Sequence, residues 1–239
     1  RIKTTFIGSL PFSKRYYKHY LPLMPLALKL LNLKKYDLII SSESGPSKGF
    51  RKRKNAFHVC YCHSPMRYLW DLNNEYNQKF NFLEKMASKI IFPLLKKWDV
   101  KTAKNIDLII ANSNFVSKRI SDYWMQESKV IHPPINYTDF SVSDNIGDYY
   151  LVLSRHVPYK KIDIVIQAFN SNDKKVMIIG EGPDTKKIKK LAKSKKIIFL
   201  GWINDDSKKE YLSKCKALLF PGIEDFGIVP IETMASGRP

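Results

Sequence analysis

Two glutamates stand with seven residues between them in F-P-G-I-E-D-F-G-I-V-P-I-E-T-M-A-S-G-R-P, residues 220–239. Glu224 follows a proline-glycine turn, and Glu232 lies in a helix-like run. Carboxylate oxygens accept hydrogen bonds from neutral hydroxyls, so this pair suits a polyol such as a sugar or a ribose. The bland role for Glu232 is to complement the dipole of its own helix. Cations suited to a diphosphate occur in L-V-L-S-R-H-V-P-Y-K-K-I-D, residues 151–163, where Arg155 and Lys160 sit in a turn between a strand and a helix. Solvated surface cations are the plain alternative in so basic a chain.

Two further turns carry glycine where backbone could approach a ligand. In V-M-I-I-G-E-G-P, Gly180 and Gly182 punctuate a strand-to-helix turn, and Pro183 suits the first turn of the next helix. In F-L-G-W-I a strand ends on Gly201 among apolar neighbours that could bracket a base. A tight structural turn is the plain alternative for the first of these.

These residues need strands to carry them. Short apolar runs bounded by polar or turn residues predict strands at 37–42, 57–62, 107–112, 149–154, 175–179, 197–200 and 217–220. Helix-period segments predict helices at 80–104, 113–125, 162–169, 184–195 and 205–214, with Pro93 kinking or splitting the first. The alternation predicts an α/β protein with parallel sheets covered on both faces. Periodicity lapses in H-P-P-I-N-Y-T-D-F-S-V-S-D-N-I-G-D, residues 132–148, and resumes at Tyr149. The expected organisation is a first domain at 1–140, a linker at 141–148 and a second domain at 149–239. In such sheets ligands bind outside the carboxyl ends of the strands. The strand at 217–220 would deliver both glutamates to the edge that carries Arg155 and Lys160, with Glu232 near the first turn of its helix.

Composition narrows the setting. A hydrophobic share of 44% with thirteen tyrosines, thirteen phenylalanines and four tryptophans excludes a disordered chain. Lys and Arg number 41 against 22 Asp and Glu, a formal charge of +19. Such a field suits nucleic acid, an anionic membrane surface or a phosphorylated substrate, and it equally fits charges spread over solvated faces. Helix-turn-helix, RNA-binding aromatic and zinc-knuckle patterns are missing, which counts against specific nucleic-acid binding. Three cysteines cannot build a disulfide framework, so a reducing cytoplasm is the simplest setting. His58, Cys60 and Cys62 alternate along one strand with His63 following, but metal-site spacing is not met, and buried core cysteines are the ordinary case. No metal and no cofactor is expected.

The terminal stretch resembles the E-x7-E signature of retaining glycosyltransferases of family 4 with the GT-B fold. The order S-R-x4-K, G-E-G-P, F-L-G, E-x7-E resembles that family's donor domain over residues 149–239. The resemblance implies two Rossmann-like doubly wound domains facing a cleft, both incomplete in this chain. It implies that Arg155 and Lys160 neutralise a sugar-nucleotide diphosphate and then the leaving group. Glu224 would bind hydroxyls of the transferred sugar, and Phe226, Gly227 and Ile228 would add donor contacts. Gly180, Gly182 and Gly201 would line the donor site, and Glu232 would take the ribose hydroxyls. Lys161 departs from the pattern, because the family usually has glycine there.

In the first half, C-H-S-P-M-R-Y-L-W-D, residues 62–71, and S-S-E-S-G-P-S-K-G, residues 41–49, resemble a bacterial mannosyltransferase branch that builds O-antigen and similar polysaccharides. His63 would then approach the donor sugar across the cleft, and Arg67, Tyr68, Trp70 and Asp71 would shape the acceptor side. Tyr68 and Trp70 serve equally as packing between domains. The expected reaction is metal-independent transfer of a hexose, mannose from GDP-mannose, to a saccharide or lipid-diphosphate-linked acceptor. A UDP-sugar or another hexose is the alternative. Basic stretches at 13–20 and 49–55 could rest on an anionic membrane, which places the protein in the cytoplasm, peripheral on the inner membrane face. Arg1 is not a natural start, and the family pattern continues past Pro239. The chain is therefore expected to be an excerpt, and inactive if it were the whole molecule.

Overall fold

The computed structural model describes residues 2–73 and 80–239. The side chains of Lys14, Tyr16, Tyr17 and Lys18, half of the basic-aromatic stretch at 13–20, lie outside the described set. The chain divides into two compact units, Arg1–Pro133 and Pro134–Pro239.

The first unit holds a parallel sheet in the order β1-β2-β3-β4, from Leu38–Glu43, Phe57–Cys62, Leu108–Ala111 and Lys129–Val130. Helix α1 (Met24–Lys29) precedes it, α2 (Phe82–Ala103) joins β2 to β3, and α3 (Asn114–Trp124) joins β3 to β4. Helix α2 starts on a reciprocal cap, in which the Asn81 side chain accepts from the Glu84 N–H and the Glu84 carboxylate accepts from the Asn81 N–H. It runs unbroken through Pro93, so of the kink or split expected there the split does not occur. Cys60, Cys62, Ile109 and Ala111 face α3 through Val116, Ile120 and Trp124, all buried. The other face of β1 and the start of β2 leave Leu38, Ile40 and Phe57 exposed, so both-face cover does not hold there.

A buried charge cluster ties this unit together. Lys48 donates to Glu43 Oε1 at 2.9 Å and is ion-paired with Asp99. Asp99 Oδ2 accepts from Trp70 Nε1 at 2.9 Å and from Trp124 Nε1 at 2.7 Å. Burial alone would lower the Lys48 pKa, but Glu43 and Asp99 together hold it above the ordinary lysine value. For Glu43 burial outweighs the pull of Lys48, and its carboxyl sits above the usual range. Removing the cation would strand two buried carboxylates, which is the costly direction.

The second unit is also parallel. Strands β5 (Tyr150–Leu153), β6 (Val176–Ile179) and β7 (Ile197–Gly201) pair in the order β5-β6-β7. The strand predicted at 217–220 shrinks to one parallel bridge, Leu151 to Leu218. Its backbone is still bonded on both sides, since Leu151 N donates to Ala217 O, Leu219 N to Leu151 O, and Leu218 N to Pro239 O. Helix α4 (Ile162–Asn170) sets Ile162, Val165, Ile166 and Phe169 on one sheet face, against Val152, Val176 and Ile178. Full burial of each aliphatic contributes about 1.5–3 kcal/mol. Helix α6 (Asp205–Lys214) covers the opposite face with Leu212, against Leu151 and Ile179.

Helix α5 (Thr185–Leu191) stops before the predicted Lys195. Asn170 ends it: its side chain donates to Leu191 O and accepts from the N–H groups of Lys193 and Ser194. Helix α7 (Ile228–Ala235) closes the chain. Residues 134–148 pack on this unit, with Gly147 N donating to Lys214 O and Arg238 bonded to Ser143 O. Among the described residues no helix is long and apolar enough to cross a membrane.

Candidate functional site

In the second unit β6 and β7 lie on one side of β5, and the Leu218 segment lies on the other. The strand order therefore reverses at β5. Ligands of open α/β sheets settle at such a reversal, outside the carboxyl ends of the strands. The loop leaving β5 carries Arg155 and Lys160, and the loop leaving the Leu218 segment carries Gly222 and Glu224. Both loops flank the reversal.

Lys160 is ion-paired with Glu224, its ammonium also lying 5.8 Å from the centre of the Phe220 ring. Arg155 is exposed. Two local devices build the β5 loop. A 3-10 turn, Pro158–Lys160, starts on a proline with its φ already set. Lys161 then takes a left-handed conformation, φ 53° and ψ 35°, at the start of α4. Glycine adopts that conformation without penalty, whereas a residue with a Cβ pays roughly 1–2 kcal/mol.

Glycines let two loops interlock. A Cβ on Gly180 would lie 2.1 Å from Ser154 O, and one on Gly182 would lie 2.3 Å from His156 O. His156, which the sequence reading passed over, is buried and joins these loops. Its Nδ1 is 2.9 Å from Thr185 Oγ1, and that hydroxyl donates to Gly182 O and accepts from Gly182 N. Burial holds its imidazole below the usual pKa. Gly201 ends β7 with φ 71°, and Trp202 beside it is exposed.

Glu232 differs from expectation. Helix α7 begins at Ile228 after a left-handed Gly227, so Glu232 lies past the first turn, which holds no acidic residue. The dipole role loses its geometric basis, because that effect fades within the first turn. Instead Glu232 Oε1 accepts from Lys208 Nζ at 3.1 Å, a partner on α6 that no sequence signal indicated. Phe226, Gly227 and Ile228 lead into α7 and bring its first amides to the same sheet edge.

In the first unit His63 leaves the carboxyl end of β2, exposed, with Nε2 2.9 Å from Ser42 Oγ and its ring 5.1 Å from that of Tyr61. Asp71 is paired with Arg67 and with the buried Arg119, which also donates to Ser64 Oγ. Trp70 stacks on Tyr123 at 4.8 Å and spends its N–H on Asp99. Tyr68 packs against the cluster of Met66, Leu69, Phe92 and Leu95. Along β2, His58, Cys60 and Cys62 all point into the core, and burial pushes the Cys60 thiol up to about 11. Among the described residues no cluster of potential metal ligands forms.

A sequence profile described as Glycosyltransferase Family 4 matches residues 3–139, and one described as Glycosyl transferases group 1 matches residues 140–239. No curated protein sequence matches the chain. Solved structures share its fold. A sucrose-phosphate synthase from Thermosynechococcus elongatus aligns over 95% of this chain and 60% of its own, at 18% identity and TM-score 0.65. A TarM structure aligns over 92% and 43%, at 19% identity and TM-score 0.62. HepE from Anabaena in complex with UDP-glucose aligns over 96% and 64%, at 18% identity and TM-score 0.62. The chain thus spans 43% to 64% of the length of these structures. The two parallel-sheet units here have a Rossmann-like GT-B fold.

Proposed function

The chain belongs to glycosyltransferase family 4, and from that premise we propose that its parent protein transfers a hexose from a sugar nucleotide with retention of anomeric configuration. The observation that supports this most directly is the meeting of Lys160 and Glu224 at the strand-order reversal, with Arg155 on the same loop. As the bond between sugar and phosphate breaks, negative charge develops on the diphosphate. Arg155, Lys160 and the first amides of α7 would stabilise it, the kind of fixed electrostatic help that dominates such steps. Glu224 would hold hydroxyls of the transferred sugar, and Glu232 those of the ribose. A retaining path lets the acceptor hydroxyl attack from the face the phosphate leaves, with the departing phosphate taking its proton.

We assign mannose and GDP-mannose as donor on the likeness of residues 41–49 and 62–71 to the mannosyltransferase branch. The acceptor in this reading is a saccharide or lipid-linked saccharide of a surface polysaccharide, with His63 reaching the donor sugar and Arg67, Tyr68, Trp70 and Asp71 on the acceptor side. The basic surface and such an acceptor together suit a cytoplasmic protein peripheral on an anionic membrane. A UDP-hexose donor is the second reading, favoured by the HepE structures described with UDP and UDP-glucose.

The test is calorimetric titration of the full-length protein with GDP, UDP and GDP-mannose, with Arg155→Ala and Lys160→Ala alongside. Selective GDP binding weakened by both changes supports the first reading, and selective UDP binding supports the second. A well-folded protein that binds neither nucleotide overturns both.

A further inference from the structure

We propose that Lys208 is a positioning residue of the donor site, holding one oxygen of Glu232 so that the other is presented to the ribose diol of the nucleotide. The proposal rests on the ribose role given to Glu232 above. Lys208 rises from α6, which begins shortly after the Gly201 turn, while Glu232 rises from α7, which follows the Glu224 loop. The two helices pack together, and the ammonium lies 3.1 Å from Glu232 Oε1.

The pair is more enclosed than an ordinary surface bridge. The two side chains are 23% and 14% exposed. Lys208 is also placed by Asp205 at 3.6 Å and by the Phe140 ring, 6.0 Å from ring centre to nitrogen. Two carboxylates and an aromatic face therefore fix a side chain that would otherwise sample many rotamers. Glu232 Oε2 takes no hydrogen bond from any described residue. A carboxylate has about four acceptor positions, so loss of one to Lys208 leaves room for both hydroxyls of a vicinal diol.

The benefit to binding is preorganisation. A free glutamate side chain loses rotamer entropy when a ligand fixes it, whereas one already held loses little at that moment. A strut joining α6 to α7 would have a different signature. It would stabilise the unit and affect every ligand alike. A positioning role affects only ligands that carry the diol.

The test uses the full-length protein with GDP and 2′,3′-dideoxy-GDP, UDP and its dideoxy analogue being run beside them. Lys208→Gln removes the charge, Lys208→Arg restores it, and Lys208→Met retains the packing on Phe140 should the glutamine variant fail to fold. Wild type is expected to favour the diol-bearing nucleotide by about tenfold or more, the scale of hydrogen bonds to a charged group. Lys208→Gln should weaken that nucleotide by about five- to tenfold and leave the dideoxy analogue within about twofold, with Lys208→Arg recovering most of the loss. In turnover KM should rise while kcat holds, because the ribose contact is the same in ground and transition states. Equal weakening of both ligands, or unchanged discrimination, would overturn the positioning role while the ribose reading stands. A wild type that does not distinguish the two nucleotides would remove the ribose reading and this proposal with it.

Discussion

Gly222 stands directly against Lys160: a Cβ at Gly222 would lie 2.9 Å from the Lys160 Cα and 3.0 Å from Tyr159 O. The absence of a side chain at one position thus allows two loops of the sheet edge to meet, and Lys160 and Glu224 to pair. Both atoms are backbone, so no rotamer change relieves the overlap. Gly222→Ala is expected to cost about 1–3 kcal/mol, as overpacking does, and to weaken nucleotide binding by parting the loops. Gly45→Ala is the control, since a Cβ there meets nothing within 4 Å. Urea unfolding and nucleotide titration of the two variants check this, and equal effects would refute the role of Gly222.

The cations and the carboxylate of that pair should separate kinetically. On the proposed reading Arg155→Ala and Lys160→Ala remove charge from the diphosphate site, so nucleotide affinity and kcat should both fall. Glu224→Gln, on the same reading, touches the sugar and not the nucleotide. GDP affinity should then change by less than about threefold, while kcat falls on the order of 10²-fold, as when a single transition-state contact is lost. Calorimetry beside initial-rate assays distinguishes the two patterns. A Glu224→Gln variant that loses GDP affinity as strongly as Lys160→Ala would place Glu224 on the diphosphate instead.

Lys161 offers a stability test. Its left-handed backbone costs roughly 1–2 kcal/mol that glycine would not incur. Glycine gives back part of this by loosening the unfolded chain, by about 0.4–1 kcal/mol. Lys161→Gly should therefore be neutral or stabilising by up to about 1.6 kcal/mol, whereas Lys161→Val should destabilise, since a β-branched residue tolerates that region poorly. Thermal melts of the two variants decide it.

The parts of this fold legible in the sequence are those governed by short-range pattern. Apolar runs marked β1 to β3 and β5 to β7 because strand burial follows from local residue type. Helix α5 was predicted too long because the signal ending it is Asn170, fifteen or more residues earlier in the chain and close only after folding. The Leu218 segment was predicted longer because its bonding depends on β5 and on Pro239. The same contrast holds at the site. Arg155, Lys160, Glu224 and the glycines stand in recognisable order, and Lys161 was visible as a departure from it. Lys208 and His156 carry no such mark, since their roles come from partners on other elements.

His58 gives a prediction whose sign can be worked through. It is buried on β2, with Nε2 2.8 Å from Ser41 Oγ and its ring 4.7 Å from that of Phe50. Burial, then the charge of Lys52, depress its pKa to about 4 from an ordinary 6.5, against a smaller opposing pull from Asp107. The folded state therefore takes up this proton less readily than the unfolded state. The contribution is fully present above about pH 6.5 and is lost as pH falls from there toward 4. At 1.36 kcal/mol per unit, the loss between pH 7 and pH 5 should be about 2 kcal/mol. Glu43 and His156 also have shifted values, so the informative quantity is wild type minus His58→Gln, in which their effects cancel. Glutamine keeps a polar group near Ser41 and cannot be protonated in this range. Urea titrations at pH 7, 6 and 5 should show the wild type losing more stability than the variant over that interval. Parallel losses would mean that His58 accepts its proton in the folded state and that the pocket around it admits charge.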